Sequence, residues 1–402
     1  MTDVVAESMG ALARPDRKRF GRGHVAFRWF GERPALQIAV FLGLILIGGG
    51  LWTTLAANLA RLGLTPGFGF LTRAANFEIG ESPISYAAGD SYGRAILAGL
   101  ANTIEVSALG CVLATVLGVG VGVARLSSNP LLARTSLIYV EVLRNTPLLL
   151  QLFFWNASLH ALPGPRQAFV PLPGVLLSNR GLFLPWFAED GSSAWVACAS
   201  LAGLAVVAGG SAVFRLKHGP APRFVVYVGG IAALLLPSAI AWGMGAPLAL
   251  DLPRLAGFNI RGGLSMSPEF AALLIGLAVN ASASIAETVR GAILAIPKGQ
   301  WEAAGALGLR PMLVMRLVVL PQALRIVVPV LASSWLSLTK NSSLAVAIGF
   351  PDVVSILNTA ANVTGQALET IVLMMAIYLA LSLAVSLASN AWNRRFEARS
   401  HR

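Results

Sequence analysis

Charge is scarce in this sequence. Of its 402 residues only 12% are Asp, Glu, Lys or Arg, against 56% hydrophobic residues and a mean hydropathy of +0.71. So little polar surface cannot cover a water-soluble globule of this length, and the chain reads as an all-α polytopic membrane protein. Cysteine is almost missing as well: Cys111 and Cys198 lie far apart in apolar stretches, without metal-ligand spacing, and read as packed thiols rather than a disulfide. No Gly-x-x-x-x-Gly-Lys-Ser/Thr loop occurs, which excludes nucleotide binding by the usual phosphate cradle. The four His residues are scattered through loops and tails, and no Ser-His-Asp, zinc or paired-carboxylate arrangement accompanies them. Catalysis by this polypeptide, a bound metal and a cofactor of its own are therefore not expected.

What charge there is has one dominant sign. Thirty Lys and Arg face eighteen Asp and Glu, a formal balance of +12. The basic residues sit in short segments between apolar runs, without the aromatic interleaving of a nucleic-acid surface, so orientation by the positive-inside rule explains them better. Residues 1–34 form a basic tail, from Arg14 to Arg33, which cannot bury a core and is expected to be disordered up to the membrane surface. The apolar run 35–57 approaches a full span of roughly 20 residues behind too long an n-region for a signal peptide, so it reads as a retained helix. Residues 58–91 carry turn signals such as Thr65-Pro66-Gly67 and Gly89-Asp90 and read as extracytoplasmic. Spans are expected at 95–124, 137–159, 194–214, 224–244, 269–294, 316–338 and 370–391, which with the first makes about eight transmembrane helices. On that topology both termini, and the basic turns at Arg125–Arg134 and Arg215–Arg223, face the cytoplasm.

One span carries more than hydrophobicity. Asn280, Ser284, Glu287 and Gly291 recur at i, i+4, i+7 and i+11, which places them on a single helical face. A carboxylate in hydrocarbon costs several kcal/mol by insertion scales, on the order of 3, unless it is paired or wetted. Asn280, Ser284 and Glu287 are therefore candidates for a substrate pathway. The competing reading pairs Glu287 with Arg290, one turn on, as a structural ion pair, and both readings stand at this point.

The stretch that follows organises the rest. Pro297 and Gly299 stop the apolar helix, Trp301 to Leu307 can form a short one, and Gly308 and Pro311 end it. The result is a small, smooth ridge headed by a carboxylate: Glu302-Ala303-Ala304, three residues, Gly308, nine residues, Val318, one residue, Leu320-Pro321. This spacing resembles the EAA coupling loop of bacterial ABC-importer permease subunits, with Val318 where the family usually has Ile. Ala286-Glu287, Arg290-Gly291, Gly299-Gln300, Pro321-Gln322-Ala323-Leu324-Arg325 and Lys340 with Ser342-Ser343-Leu344 are similar to its polar amino-acid branch, the histidine, glutamine and general L-amino-acid permeases. So is Arg144-Asn145-Thr146-Pro147, close to the family's Arg-Gly-Thr-Pro; Arg144 is expected near the cytoplasmic face, snorkelling rather than lining a pore.

The resemblance implies the following organisation. Residues 1–34 are a cytoplasmic tail, 35–94 the first helix and an extracytoplasmic segment, 95–391 the importer transmembrane domain, and 392–402 a second cytoplasmic tail. Within the domain, five or six helices form the core. An inserted helical hairpin with its flanking loops takes up about 160–267, and the coupling loop about 295–316. Glu302, Ala303, Ala304 and Gly308 engage separate ATPase subunits that bind ATP and Mg. Pro321 and Pro329 are hinge candidates, since proline kinks permit two rigid arrangements. The other implied partners are an extracytoplasmic amino-acid-binding protein, a second related permease or a copy of this chain, and membrane lipid; nucleic acid is not among them. The implied place is the bacterial plasma (inner) membrane. The alternative is a self-sufficient secondary transporter or channel for small polar solutes, which calls for internal repeats and broken helices; no convincing repeat is present.

Overall fold

In the computed structural model the described residues are 34–61, 67–187, 229–232, 236–237, 239–240 and 250–400. Residues 1–33 of the expected tail 1–34 and nearly all of the inserted pair 194–214 and 224–244 lie outside them. The chain divides into two units, 1–66 and 67–402. The first contributes α1 (Pro34–Arg61), 28 residues without a charged side chain before Arg61 and apolar on every side. At 1.5 Å per residue it reaches about 42 Å, more than a hydrocarbon core.

The second unit is built on two helices that lie side by side and run the same way. They are α2 (Tyr92–Ala124), capped by the Ser91 hydroxyl on Arg94 N–H, and α5 (Pro268–Leu294), capped by the Ser267 hydroxyl on Phe270 N–H. Their closeness is written in glycine. A Cβ added at Gly118 would stand 2.6 Å from Ile285 Cβ, and one at Gly122 would stand 2.7 Å from the Ala286 carbonyl. Gly110 meets Leu277 in the same register, so small residues spaced four and eight apart let one backbone approach the other.

Between them the expected span 137–159 is not one helix. It is α3 (Pro130–Asn145) and α4 (Leu148–His160), bent by 107°. The cause is local: Thr146 is extended, at φ −104° and ψ 128°, because the Pro147 ring excludes α conformation from the residue before it. Three side chains serve the carbonyls freed at the break. Asn145 donates to Glu141 O at 2.8 Å, Thr146 to Val142 O at 2.7 Å, and Gln151 to both Leu143 O and Thr146 O at 3.0 Å.

The segment after α4, expected only as loop, contains small antiparallel strands. β1 (Phe169–Leu172), β2 (Val175–Ser178) and β3 (Gly181–Leu184) pair in order. β8 (Leu264–Met266) joins β3, with Leu184 opposite Leu264. Two shorter antiparallel pairs, β4 (Trp186–Phe187) with β5 (Leu250–Asp251) and β6 (Arg254–Ala256) with β7 (Asn259–Arg261), lie between β3 and β8 in sequence.

Beyond α5 come the short helix α6 (Lys298–Ala306), α7 (Pro311–Val314) and a π turn over Met315–Val319 that leads into α8 (Leu320–Asn341). The π turn ends two residues before Pro321, which has no N–H to give the preceding turn. Pro329 lies inside α8. A 3-10 stretch, Ser342–Ile348, leads to α9 (Val353–Thr364), N-capped by Asp352, and α10 (Ala367–Ser400) closes the chain. Among the described residues, five helices are long and apolar enough to cross a membrane, or six if α3 and α4 count as one broken span. The protein is a multi-pass helical membrane protein.

Candidate functional site

A cavity of about 450 Å³ opens where α3, α4, α5 and α8 converge. From α5 come Asn280, Ser284 and Glu287, the three residues singled out by periodicity, with Thr288 beside them. From α8 come Ser333, Ser334, Ser337 and Asn341. Val330, Ser334, Ser337 and Asn341 repeat the same i, i+4, i+7, i+11 spacing, a signal present in the sequence and not read there. Ser333, Ser337 and Asn341 remain exposed, so the cavity is open along α8.

The bend between α3 and α4 supplies Arg144 and Leu148. This corrects the expectation for Arg144. The break at Thr146-Pro147 ends α3 beside α5, and Asn280 Nδ2 reaches Leu143 O at 3.4 Å across that gap. The neighbouring guanidinium is thereby placed on the cavity wall, where the sequence alone does not put it.

Glu287 is held from two sides. Arg290 grips it in a forked pair, NH2 to Oε1 at 2.5 Å and Nε to Oε2 at 3.2 Å. Arg125, in the residue that caps α2, meets Oε2 as well. The Arg125 side chain is only 9% exposed, against 29% for Glu287 and 30% for Arg290. The sequence suggested the Arg290 partner, but Arg125 is 162 residues distant in the chain and nothing local pointed to it. Two cations around one carboxylate leave this end of the cavity net positive.

Glu302, Ala303 and Gly308 are exposed on or just after α6, whereas Ala304 is buried. Ala304 and Trp301 pack into the main apolar core with Ile296, Val314 and Val319. Gly308 stands at φ +72°, a left-handed turn that a side chain would strain, and its N–H bonds to Gly305 O at 2.9 Å. Leu307 and Met312 flank the ridge, 80% and 76% exposed, giving it an apolar rim. No group of three or more His, Cys, Asp or Glu able to hold a metal occurs among the described residues.

Residues 114–402 match the family described as the binding-protein-dependent transport system inner membrane component. The chain belongs to that family. It is the membrane permease subunit of a binding-protein-dependent ABC importer, and the family implies ATPase subunits on separate chains. A putative amino-acid ABC transporter permease protein of Escherichia coli, YhdX, is 46% identical over 89% of this chain and 92% of its own. The general L-amino acid transport system permease protein AapQ of Rhizobium johnstonii is 43% identical, over 87% and 89%. The glutamate/glutamine/aspartate/asparagine transport system permease protein BztB of Rhodobacter capsulatus is 38% identical, over 90% and 93%. For a permease subunit, the kinked α3–α4 pair needs no appeal to a secondary transporter: broken helices also line pathways where backbone polar groups can be served by side chains, as they are here.

Proposed function

We propose that this permease carries amino acids, received from an extracytoplasmic binding protein, through the cavity between α5 and α8. ATP-driven closure of two ATPase subunits against α6 drives the passage. The observation that carries this reading is that α8 serves both ends. Its exposed serines line the cavity, and the segment that leads into it, α7 and the π turn, packs through Val314, Met315 and Val319 with the buried side of α6. A push on the ridge at Glu302, Ala303 and Gly308 therefore moves a cavity wall, a rigid-body switch of the kind that alternates access. Pro321 and Pro329 are the proposed hinges. Both termini and α6 face the cytoplasm in this reading, and a second permease, identical or related, closes the open side of the cavity.

Co-purification of the whole complex, its reconstitution in liposomes with the binding protein, and uptake of labelled L-amino acids with and without internal ATP test the proposal. Uptake that needs ATP, the ATPase and the binding protein is expected. Uptake by the purified chain alone, driven by an ion gradient, would overturn it in favour of a secondary transporter.

A further inference from the structure

The cavity has two charged side chains on its wall, Arg144 and Glu287, and they are not equivalent. Both carboxylate oxygens of Glu287 are already met by Arg125 and Arg290. An entering ammonium would have to compete with two guanidinium groups, so Glu287 is poorly placed to select a cation. Arg144 is the reverse. It forms no ion pair or hydrogen bond among the described residues, and it is not required to cap its own helix. The last carbonyls of α3 are already served by Asn145, Thr146, Gln151 and Asn280. Its usual structural duties are thus filled by neighbours.

Besides Glu287, the polar groups that share the cavity wall with Arg144 are hydroxyls and amides, Ser284 and Asn280 on one wall, Ser337 and Asn341 on the other. The Glu141 carboxylate, one turn back on α3, takes a bond from Asn145 at 3.3 Å and is not part of the lining. The ion cluster at Glu287 adds a net positive charge, two Arg against one Glu. The local field therefore favours a negative group, and a planar guanidinium takes a carboxylate through two parallel hydrogen bonds. At about 450 Å³ the cavity lies within the roughly 300–1,000 Å³ range of small-molecule sites.

We propose that Arg144 is the carboxylate anchor of this cavity, binding the α-carboxylate common to amino-acid substrates, while Asn280, Ser284 and the α8 serines meet the rest. This deepens the functional reading above and rests on it. Specificity then follows from a division of labour: a group common to every L-amino acid is held by charge, and side chains are accommodated by neutral, adaptable donors and acceptors.

The test uses the full complex in liposomes, with L-[14C]glutamine and L-[14C]glutamate as probes. Glutamine has one carboxylate and glutamate two. In Arg144→Gln the uptake rate of both should fall roughly ten- to hundredfold, the loss expected for a charge-assisted pair. Arg144→Lys, which keeps charge but not the fork, should recover part of it. Complex yield and melting temperature distinguish loss of binding from loss of fold. Equal uptake in wild type and Arg144→Gln overturns the inference while leaving the importer reading intact, and so does a loss that Arg144→Lys does not relieve and that tracks lower stability. Loss for glutamate alone reassigns Arg144 to a side-chain carboxylate and overturns the α-carboxylate assignment. A wild-type complex that takes up neither probe, nor any other L-amino acid, overturns the importer reading and the inference together.

Discussion

Glu287→Gln is the most informative single change, because the geometry assigns it a structural cost before any transport cost. The substitution keeps size and removes the negative charge between Arg125 and Arg290. Two guanidinium groups then share one neutral amide, and one of them, Arg125, is 9% exposed. Removing one partner of a fully buried pair costs about 3–5 kcal/mol, while an exposed pair is worth about 0–1. With the carboxylate itself 29% exposed, the expected cost lies between these limits, about 2 kcal/mol. By the scaling of soluble domains that is a fall in melting temperature of roughly 4–8 °C. The assay is fluorescence-detected size exclusion of the detergent-solubilised complex after graded heating. Glu287→Gln combined with Arg125→Gln should recover most of the loss, since it removes the more buried cation. Combination with Arg290→Gln should recover less. A melting temperature within 1 °C of wild type for Glu287→Gln, together with abolished transport, would refute this reasoning and return Glu287 to the substrate.

Four further outcomes are expected. Single cysteines at Ser82, Lys217 and Arg310 in a Cys-free background should divide by side, Ser82→Cys alone reacting with an impermeant thiol reagent from outside; the opposite labelling would reverse the proposed topology. Gly308→Arg places a long cation at a left-handed turn beside the exposed ridge, and should yield an inserted protein that no longer captures its ATPase, whereas Gly308→Ala, strained by about 1–2 kcal/mol, should capture it weakly; normal capture by Gly308→Arg removes the docking assignment. Gly118→Leu should reduce the yield of folded protein sharply, its Cβ falling 2.6 Å from Ile285, while Gly120→Leu, with nothing within 4 Å, should be tolerated; equal yields would mean that α2 and α5 do not touch as described. Glu81, whose pKa is raised chiefly by burial against the opposing bonds from Ser267, gives a pH test. An acid that is harder to ionise when folded favours the fold while protonated, so stability should decline as pH climbs from its ordinary range near 4.5 through the raised value. Glu81→Gln should flatten that decline, and an unchanged pH profile would count against the buried carboxyl.

The sequence disclosed what depends on local pattern. Helices α5 and α10 begin within a few residues of where hydropathy placed them, and the short helix at Glu302 follows from Pro297, Gly308 and Pro311. The shared face of Asn280, Ser284 and Glu287 was legible because 3.6-residue periodicity survives any tertiary arrangement. The place of Arg144 on a cavity wall was not legible, because hydropathy averages over a window and smooths away a 107° bend set by one proline. Arg125 was invisible for another reason: its partner is 162 residues on, and only the parallel packing of α2 and α5 brings them together. The strands on either side of the inserted segment escaped for a third reason, since three- and four-residue strands leave too short an alternation to stand above Gly- and Pro-rich turns.

The two polar faces explain more jointly than either does alone. Asn280, Ser284 and Glu287 on α5 and Ser334, Ser337 and Asn341 on α8 each recur at helical spacing, three or four residues apart, so the cavity is walled by two helices that each keep one hydrophilic stripe. The remainder of α5 is packed against α2 through Gly118 and Gly122, and the Arg125–Glu287 contact locks the same pair. In the proposed mechanism α5 is therefore the fixed wall. α8 meets one such glycine, Gly110 at Leu338, is entered through a π turn ahead of Pro321, carries Pro329 within it and is joined through α7 and that turn to the buried side of α6. It is the wall that can move. A force applied at the Glu302 ridge then shifts the serines of α8 past a stationary Arg144 and Asn280. The anchor keeps hold of the carboxylate while the groups around the rest of the substrate change.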